Sequence, residues 1–226
     1  MKKETEVKLE QLVKLFKKNT DQQKAVEMKK YMKDLFDFYG IPKPKRVELS
    51  KPFIKEFSQL DVKEVISVCK RLWIMPQREL QYVAMEILQK SKVHTIENSH
   101  TFFEWLIITR SWWDTVDLIA SHLIGKYLLS FPEMKDKLVD SWCKSENLWL
   151  IRTAILFQLN YKDKTDEALL FGLCKQFSGE KEFFIKKAIG WALRQYARTR
   201  PEAVRKFVKY NTLQPLSIRE AMKHLE

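Results

Sequence analysis

The sequence has few of the residues that interrupt helices or place a chain in a membrane. It contains five glycines and seven prolines among 226 residues, and most long segments contain neither. No stretch approaches the roughly 18 apolar residues that a membrane-spanning helix needs. The first residues, MKKETEVKLEQL, lack the apolar region of a secretory signal. We therefore expect an all-helical cytoplasmic protein that does not span a membrane.

Residues for metal binding or disulfide formation are also scarce. The three cysteines lie far apart within apolar helical patterns, which is typical of reduced core thiols. The four histidines have no cysteine or acid at a ligand spacing. Glycine-rich phosphate loops of the common types are absent. We expect no metal and no cofactor.

Positive charge is abundant. Lysine and arginine number 41 against 29 acidic residues, which gives a net charge of +12. Such an excess indicates a polyanionic partner, either nucleic acid or an anionic membrane surface. The second is the weaker interpretation, because no helical segment combines a lysine-rich face with large apolar bulk opposite.

Apolar residues recur at spacings of three and four from the N-terminus, which predicts helices. Thr20 and Gln23 fit a capping box for a second helix that runs to about Phe38. Gly40 would end that helix, and GIPKPKR (40–46) would form a loop. Further helices are predicted near 47–57, 61–73, 77–90, 97–109, 111–129, 131–143, 147–159, 165–177, 181–198, 201–210 and 216–225.

A step of 35 residues relates positions in several of these helices. One polar or polarisable track contains Tyr82, Asp117, Arg152 and Lys187. Two small or apolar tracks contain Ala84, Ile119, Ala154 and Ile189, and Met85, Ala120, Ile155 and Gly190. This pattern predicts HEAT-like helical repeats in one domain, 1–226, that form a curved α-solenoid with a basic concave face. Asp117 and Arg152 would then be neighbours.

The polar track continues into a basic stripe near the C-terminus. Its members, at spacings of four, three and four, are Lys187, Trp191, Arg194 and Arg198. Cations interrupted by an indole are typical of surfaces that bind a nucleic-acid backbone. In SWWDTVD (111–117), Trp113 and Asp117 also share one helix face.

An acid beside phosphates is costly. At about 4 Å and an effective dielectric near 20, two charges interact by roughly 4 kcal/mol. The same interaction would stabilise a developing cation, by about three decades in rate. Asp117 therefore points to cleavage of an N-glycosidic bond through an oxocarbenium-like sugar. The alternative is a structural salt bridge between Asp117 and Arg152.

Six stretches carry a family resemblance: YMKDLF, GIPKPKR, SWWDTVD, NLWLIRTAILFQLNYK, KEFFIKKAIGWALRQYA and PLSIREAMKHL. In them the sequence resembles the AlkD-like DNA alkylation repair family, whose members are HEAT-like-repeat DNA glycosylases. The stretches begin at residue 31 and extend to the C-terminal region. SWWDTVD together with FFIKKAIGWALR is the most specific part.

The resemblance implies a monofunctional enzyme that removes N3- and N7-alkylated purines from double-stranded DNA. Asp117 would be the catalytic carboxylate, held by Arg152, which would also contact the DNA backbone. Trp113, Trp191 and Tyr31 would contact the lesion. The resemblance makes Arg194 a backbone-contacting residue, as the basic stripe does for Lys187 and Arg198. The resemblance also implies a monomer of a bacterial-type cytoplasm, without a membrane partner, that associates with the nucleoid when bound to DNA.

Two other functions fit a helical-repeat chain. One is a DNA-binding protein without catalytic activity, and the other is a protein-interaction scaffold, a common use of helical repeats. The concentration of cations beside Trp191 favours DNA over a protein partner. A steep fall of DNA affinity with salt would separate these two.

Overall fold

A computed structural model describes residues 1–225, and these residues form helices joined by short loops. The α-helices are α1 Lys3–Lys18, α2 Gln22–Tyr31, α3 Lys43–Phe57, α4 Val62–Ile74, α5 Arg78–Lys90, α6 Ser99–Ile108, α7 Trp113–Leu118, α8 Gly125–Ser130, α9 Lys135–Lys144, α10 Leu148–Leu156, α11 Glu167–Gln176, α12 Phe183–Ala197, α13 Pro201–Tyr210 and α14 Pro215–Met222. Within residues 1–225 the sole β-type pairing is an isolated bridge between Asp37 and Gln77. The all-α prediction is confirmed.

The chain divides into two compact units, Met1–Phe102 and Phe103–Glu226. Each unit has its own apolar core. Fully buried aromatic residues include Phe16, Phe57 and Trp73 in the first unit, and Phe103, Tyr127, Trp142 and Phe157 in the second. Across residues 1–225, no helix has both the length and the apolar character needed to cross a membrane. The single domain over 1–226 stays a prediction.

The second helix differs from its prediction at both ends. Asp21, not Thr20, caps it, because the Asp21 carboxylate accepts a hydrogen bond from the Lys24 amide at 3.1 Å. The Thr20 hydroxyl instead donates to the Lys17 carbonyl of the preceding helix. The helix ends at Tyr31, well before residue 38, because Lys33 and Asp34 both adopt left-handed φ angles, 58° and 61°.

The predicted loop at 40–46 is half helical. Gly40 has a φ of 81°, and a Cβ atom there would lie 2.0 Å from the Asp21 carbonyl oxygen. The next helix nevertheless starts at Lys43, with Pro44 in its first turn, where a missing amide hydrogen costs nothing. The buried Glu79 carboxylate fixes the turn by accepting three backbone N–H groups, from Tyr39, Gly40 and Ile41.

The two apolar 35-residue tracks lie in the core, as predicted. Ala84, Ile119, Ala154 and Ile189 are buried, and so are Met85, Ala120, Ile155 and Gly190. Gly190 has a further role, because a Cβ atom there would lie 2.4 Å from the Glu220 Cβ and 2.9 Å from the Ser217 carbonyl oxygen. The glycine therefore permits the close packing of α12 against α14.

The helix that carries Asp117 contains a π-helical segment. α7 continues into a π-helix over Ile119–Ile124, which continues into α8. A π segment changes the backbone hydrogen-bond pattern, and such segments are frequent at functional sites. Two carbonyls of this region accept side-chain bonds: Ser121 from the Asn160 amide at 3.0 Å, and Gly125 from the Tyr161 hydroxyl at 2.7 Å. These bonds attach the helix to the segment that follows α10.

Candidate functional site

The predicted contact between Asp117 and Arg152 is present. The Arg152 Nε donates to Asp117 Oδ1 at 2.7 Å, and Nη2 donates to Oδ2 at 2.8 Å. Arg152 is 4% exposed, whereas the Asp117 side chain is 14% exposed. A carboxylate has about four acceptor positions, and Arg152 occupies two. The remainder are available on the exposed side of Asp117.

An aromatic cluster positions the arginine. Arg152 Nη1 donates to the Phe184 carbonyl, and its guanidinium lies 5.9 Å from the centroid of the Phe184 ring. Phe184 packs against Trp112 and Trp149 with ring centroids 5.1 and 5.0 Å away. The first turns of α7, α10 and α12 meet at this cluster. Rigid aromatic packing therefore fixes the guanidinium whose other two nitrogens hold Asp117.

Burial raises the pKa of Asp117 above the usual range of an aspartate. The hydrogen bonds and charge of Arg152 oppose this effect, and the nearby Asp114 adds to it. The physical reason is desolvation: partial removal from water costs the ionised carboxylate more than the arginine restores. The group is thus a carboxylate in a poorly solvated place, which strengthens its interaction with any cation that reaches it.

Asp117 opens into a cleft of about 330 Å³, at the small end of the range for ligand sites. The cleft is lined by Trp113, Asp114, Asp117, Leu118, Ser121, His122, Leu159, Asn160, Trp191 and Gln195. Two predicted aromatic residues, Trp113 and Trp191, therefore lie in one cleft with the acid. No lysine or arginine is among these described lining residues. The cleft is acidic although the chain is basic.

Several polar residues of the cleft were not predicted from the sequence. Ser121, His122, Asn160 and Gln195 join it through the π-helical segment, the turn after α10, and α12. Gln195 could have been found, since it lies one helical turn beyond Trp191. Partial burial and the neighbouring Lys126 lower the pKa of His122. Its imidazole is consequently neutral at neutral pH.

Two cations of the basic stripe pair with an acid from α14. Glu220 accepts from Lys187 Nζ at 2.8 Å and from Arg194 Nη1 at 2.7 Å, and these two cations hold the pKa of Glu220 below its usual range. Sequence reasoning missed Glu220 because it lies outside the repeat pattern. Arg198 is exposed at the end of α12. DNA contacts of these three cations stay predictions.

Tyr31 belongs to the first compact unit, whereas the other predicted site residues belong to the second. It is the last residue of α2, and it is 70% exposed. Its predicted contact with the lesion stays a prediction. The three cysteines are free thiols, and no group of three potential metal ligands occurs within residues 1–225.

Comparison with known proteins gives consistent results. A family model described as "DNA alkylation repair enzyme" matches residues 12–225. The fold is similar to a solved structure described as a predicted DNA alkylation repair enzyme from Enterococcus faecalis, with a TM-score of 0.83 and 32% identity. The similarity covers 91% of this chain and 96% of that chain. No curated protein matches.

Proposed function

Because the chain belongs to the DNA alkylation repair enzyme family, we propose that it is a monofunctional DNA glycosylase. Its substrates are N3- and N7-alkylated purines in duplex DNA, and it hydrolyses the bond between the sugar and the modified base. One observation carries the proposal: a poorly solvated carboxylate, Asp117, lines a cleft together with two indoles, and no lysine or arginine is among the described lining residues. That cleft suits a cation.

Alkylation at N3 or N7 gives the purine a positive charge. When the C1′–N bond breaks, its electron pair goes to the base, which leaves as a neutral molecule. The sugar becomes an oxocarbenium-like cation, water attacks C1′, and the protonated product of that attack passes its proton to bulk water. Such a leaving group needs no general acid. The chemistry is consistent with a site in which an acid held by an arginine, Asp117, acts through its charge.

Asp117 would act by charge and position. The Arg152 fork holds both carboxylate oxygens from the buried side, so the open side of the carboxylate is directed at the cleft. A negative charge held there before the reaction stabilises the sugar cation without reorganisation. The same carboxylate can accept a hydrogen bond from the attacking water. Trp113 and Trp191 would contact the cationic sugar or base with their ring faces.

The first prediction concerns the charge of Asp117. Asp117→Asn keeps the shape of the side chain and removes its charge, so base release should fall by about 10²–10³. The measurement is the single-turnover release of N7-methylguanine from methylated duplex DNA. Asp114→Asn is the matched control, since it removes a charge from the same cleft without touching the Arg152 fork. It should retain activity within about tenfold of wild type.

The second candidate function is DNA binding without catalysis. Arg152 engages both oxygens of Asp117, and a purely structural salt bridge would show the same geometry. Under that hypothesis, wild-type protein would release no methylated base while binding duplex DNA in a salt-sensitive way. Equal release by wild type and Asp117→Asn would exclude the role of the carboxylate. Binding of the folded variant to duplex DNA would show that its loss of activity is chemical.

A further inference from the structure

A second cavity of about 260 Å³ adjoins the Asp117 cleft. It lies between the end of α10, the short 3₁₀ helix Lys162–Lys164, α11 and the end of α12. The residues that line it are Ile155, Gln158, Leu159, Lys162, Thr165, Leu170, Ala192, Gln195, Tyr196, Arg198 and Thr199. We call it the basic pocket. Leu159 and Gln195 line both the basic pocket and the cleft.

The charge of the basic pocket is opposite to that of the cleft. It has two cations, Lys162 and Arg198, and no acid among its described lining residues. Neither cation forms an ion pair within residues 1–225. Other cations of this unit, such as Lys187 and Lys135, are paired with carboxylates. Lys162 and Arg198 are therefore available to bind an anion, and they face one cavity from two different elements.

The surrounding side chains give the pocket a fixed wall. Gln158 accepts from the Asp166 amide at 2.7 Å, and its own amide donates to the Asp166 carbonyl. The Tyr196 hydroxyl donates to Glu167 at 2.8 Å. Lys162 itself has a left-handed φ of 54°, which is uncommon outside glycine. Asp166 and Glu167 thus take bonds from other groups instead of lining the pocket, and Asp163, which follows Lys162 in the sequence, is not among the described lining residues either.

We propose that the basic pocket binds one phosphate group of the DNA strand that carries the modified nucleotide. The nucleotide in question would be cationic at its sugar and base during the reaction, and anionic at its phosphates. The acidic cleft and the basic pocket, side by side, match those two charges. A phosphate held by Lys162 and Arg198 would fix the position of the strand relative to Asp117. The identity of the nucleotide in the cleft rests on the proposed function.

The shared lining residues limit which phosphate can enter. Phosphates of one strand follow each other about every 3.4 Å along the duplex axis. A pocket with two residues in common with the cleft can therefore reach only a phosphate of the cleft nucleotide or of its immediate neighbour. The contact would consequently appear at one or two adjacent positions of the strand, which is a specific expectation.

The test is a scan with neutral phosphates. Duplexes carry a tetrahydrofuran abasic analogue and one methylphosphonate at successive positions on either side of it. Affinity is measured for wild type, for the double variant Lys162→Ala/Arg198→Ala, and for Lys164→Ala. Lys164 is the matched control, because it belongs to the same 3₁₀ helix but does not line the pocket. Both substituted side chains are exposed, and thermal unfolding checks that the double variant is folded.

Wild type and Lys164→Ala should each lose affinity about fivefold to tenfold at 0.1 M salt when the phosphate next to the analogue is neutral. In the double variant that position-specific loss should disappear. The salt dependence of binding to unmodified duplex should also decrease by about 0.9 in log–log slope for one lost phosphate contact. A double variant with the wild-type profile would overturn the proposal.

Inorganic phosphate distinguishes a site for the free ion from a site for DNA. Broadening of its ³¹P resonance by wild type, together with methylphosphonate profiles that do not differ between wild type and the double variant, would also overturn the proposal. These binding measurements require no base release. If the phosphate position is confirmed and no alkylated base is released, the glycosylase proposal fails while the pocket assignment stands.

Discussion

Asp117 combines two properties that a surface aspartate does not have. Both of its oxygens are held by one guanidinium, and its burial raises its pKa. Breaking such a pair from one side leaves a buried charge, which costs about 3–5 kcal/mol. Arg152 is therefore expected to be important for folding as well as for the site. Substitutions at these two positions need a stability measurement beside the activity measurement.

The ionisation of Asp117 predicts a pH dependence. The carboxylate acts only when ionised, and its pKa is raised, so base release should fall as the pH decreases through a value above the usual aspartate range. Arg152→Met removes two hydrogen bonds and a positive charge from the Asp117 carboxylate. The fall of base release should therefore occur at a still higher pH in this variant. Single-turnover release of N7-methylguanine across acidic and neutral pH checks both statements. If base release falls at the same pH in Arg152→Met and in wild type, Arg152 does not control the ionisation of Asp117.

At the same scale, the sequence predicted contacts that follow a repeat and missed those that do not. Asp117 and Arg152 lie 35 residues apart, so the 35-residue repeat predicts that they are neighbours. The Phe184 carbonyl that holds Arg152 has no sequence signal, because every residue carries a carbonyl group. Glu220 was missed for a related reason. Its partners were assigned to DNA, Lys187 from the basic stripe and Arg194 from the family resemblance, and neither source indicates an acid opposite them.

The packing of α12 against α14 depends on Gly190. In Gly190→Ala the new methyl group would meet the Ser217 carbonyl and the Glu220 side chain, so the protein should lose about 1–3 kcal/mol of stability. Gly172→Ala in α11 is the matched control, since a Cβ atom there meets nothing within 4 Å. It should be neutral or stabilising by about 0.5–1 kcal/mol. Urea unfolding of both variants measures the difference. Equal free energies of unfolding for Gly190→Ala and Gly172→Ala would contradict the close packing of α12 against α14.

Elements with a clear apolar period were predicted well, and their irregular ends were not. α2 is the example: the apolar pattern continues through Leu35 and Phe36, but Lys33 and Asp34 turn the chain in left-handed conformations. The π-helical segment after Asp117 also has no sequence signal, because its extra residue depends on bonds from Asn160 and Tyr161. The π segment is bonded to tertiary partners, whereas the end of α2 is closed by local backbone bonds, such as the one from the Asp34 amide to the Lys29 carbonyl at 2.9 Å.

For the whole molecule, the net charge of +12 predicts salt-dependent binding. Affinity for unmodified duplex DNA should fall linearly with salt concentration on logarithmic scales, by about 0.9 in slope for each phosphate contacted. Fluorescence anisotropy at several salt concentrations measures this slope. Asp117→Asn should show the same slope as wild type, because Asp117 contacts no phosphate in this account. A slope near zero would contradict the DNA partner.

The all-α class and the family were evident from the sequence because both depend on patterns spread over the chain. Scarce glycine and proline, a three-to-four apolar period and the SWWDTVD stretch persist whatever the details of packing. The basic pocket was not evident. Lys162 and Arg198 are 36 positions apart, close to the 35-residue period. Lys162, however, lies in a short 3₁₀ helix between two predicted helices, where the sequence pattern predicted no element.

If the cleft accelerates the loss of a cationic purine, it should act on charged lesions and not on neutral ones. The measurement is single-turnover base release from two otherwise identical duplexes, one with N7-methylguanine and one with uncharged 1,N⁶-ethenoadenine. N7-methylguanine should be released, which leaves an abasic but uncut strand, and ethenoadenine should not be released above background. Equal release of both bases, or release of neither, would contradict it.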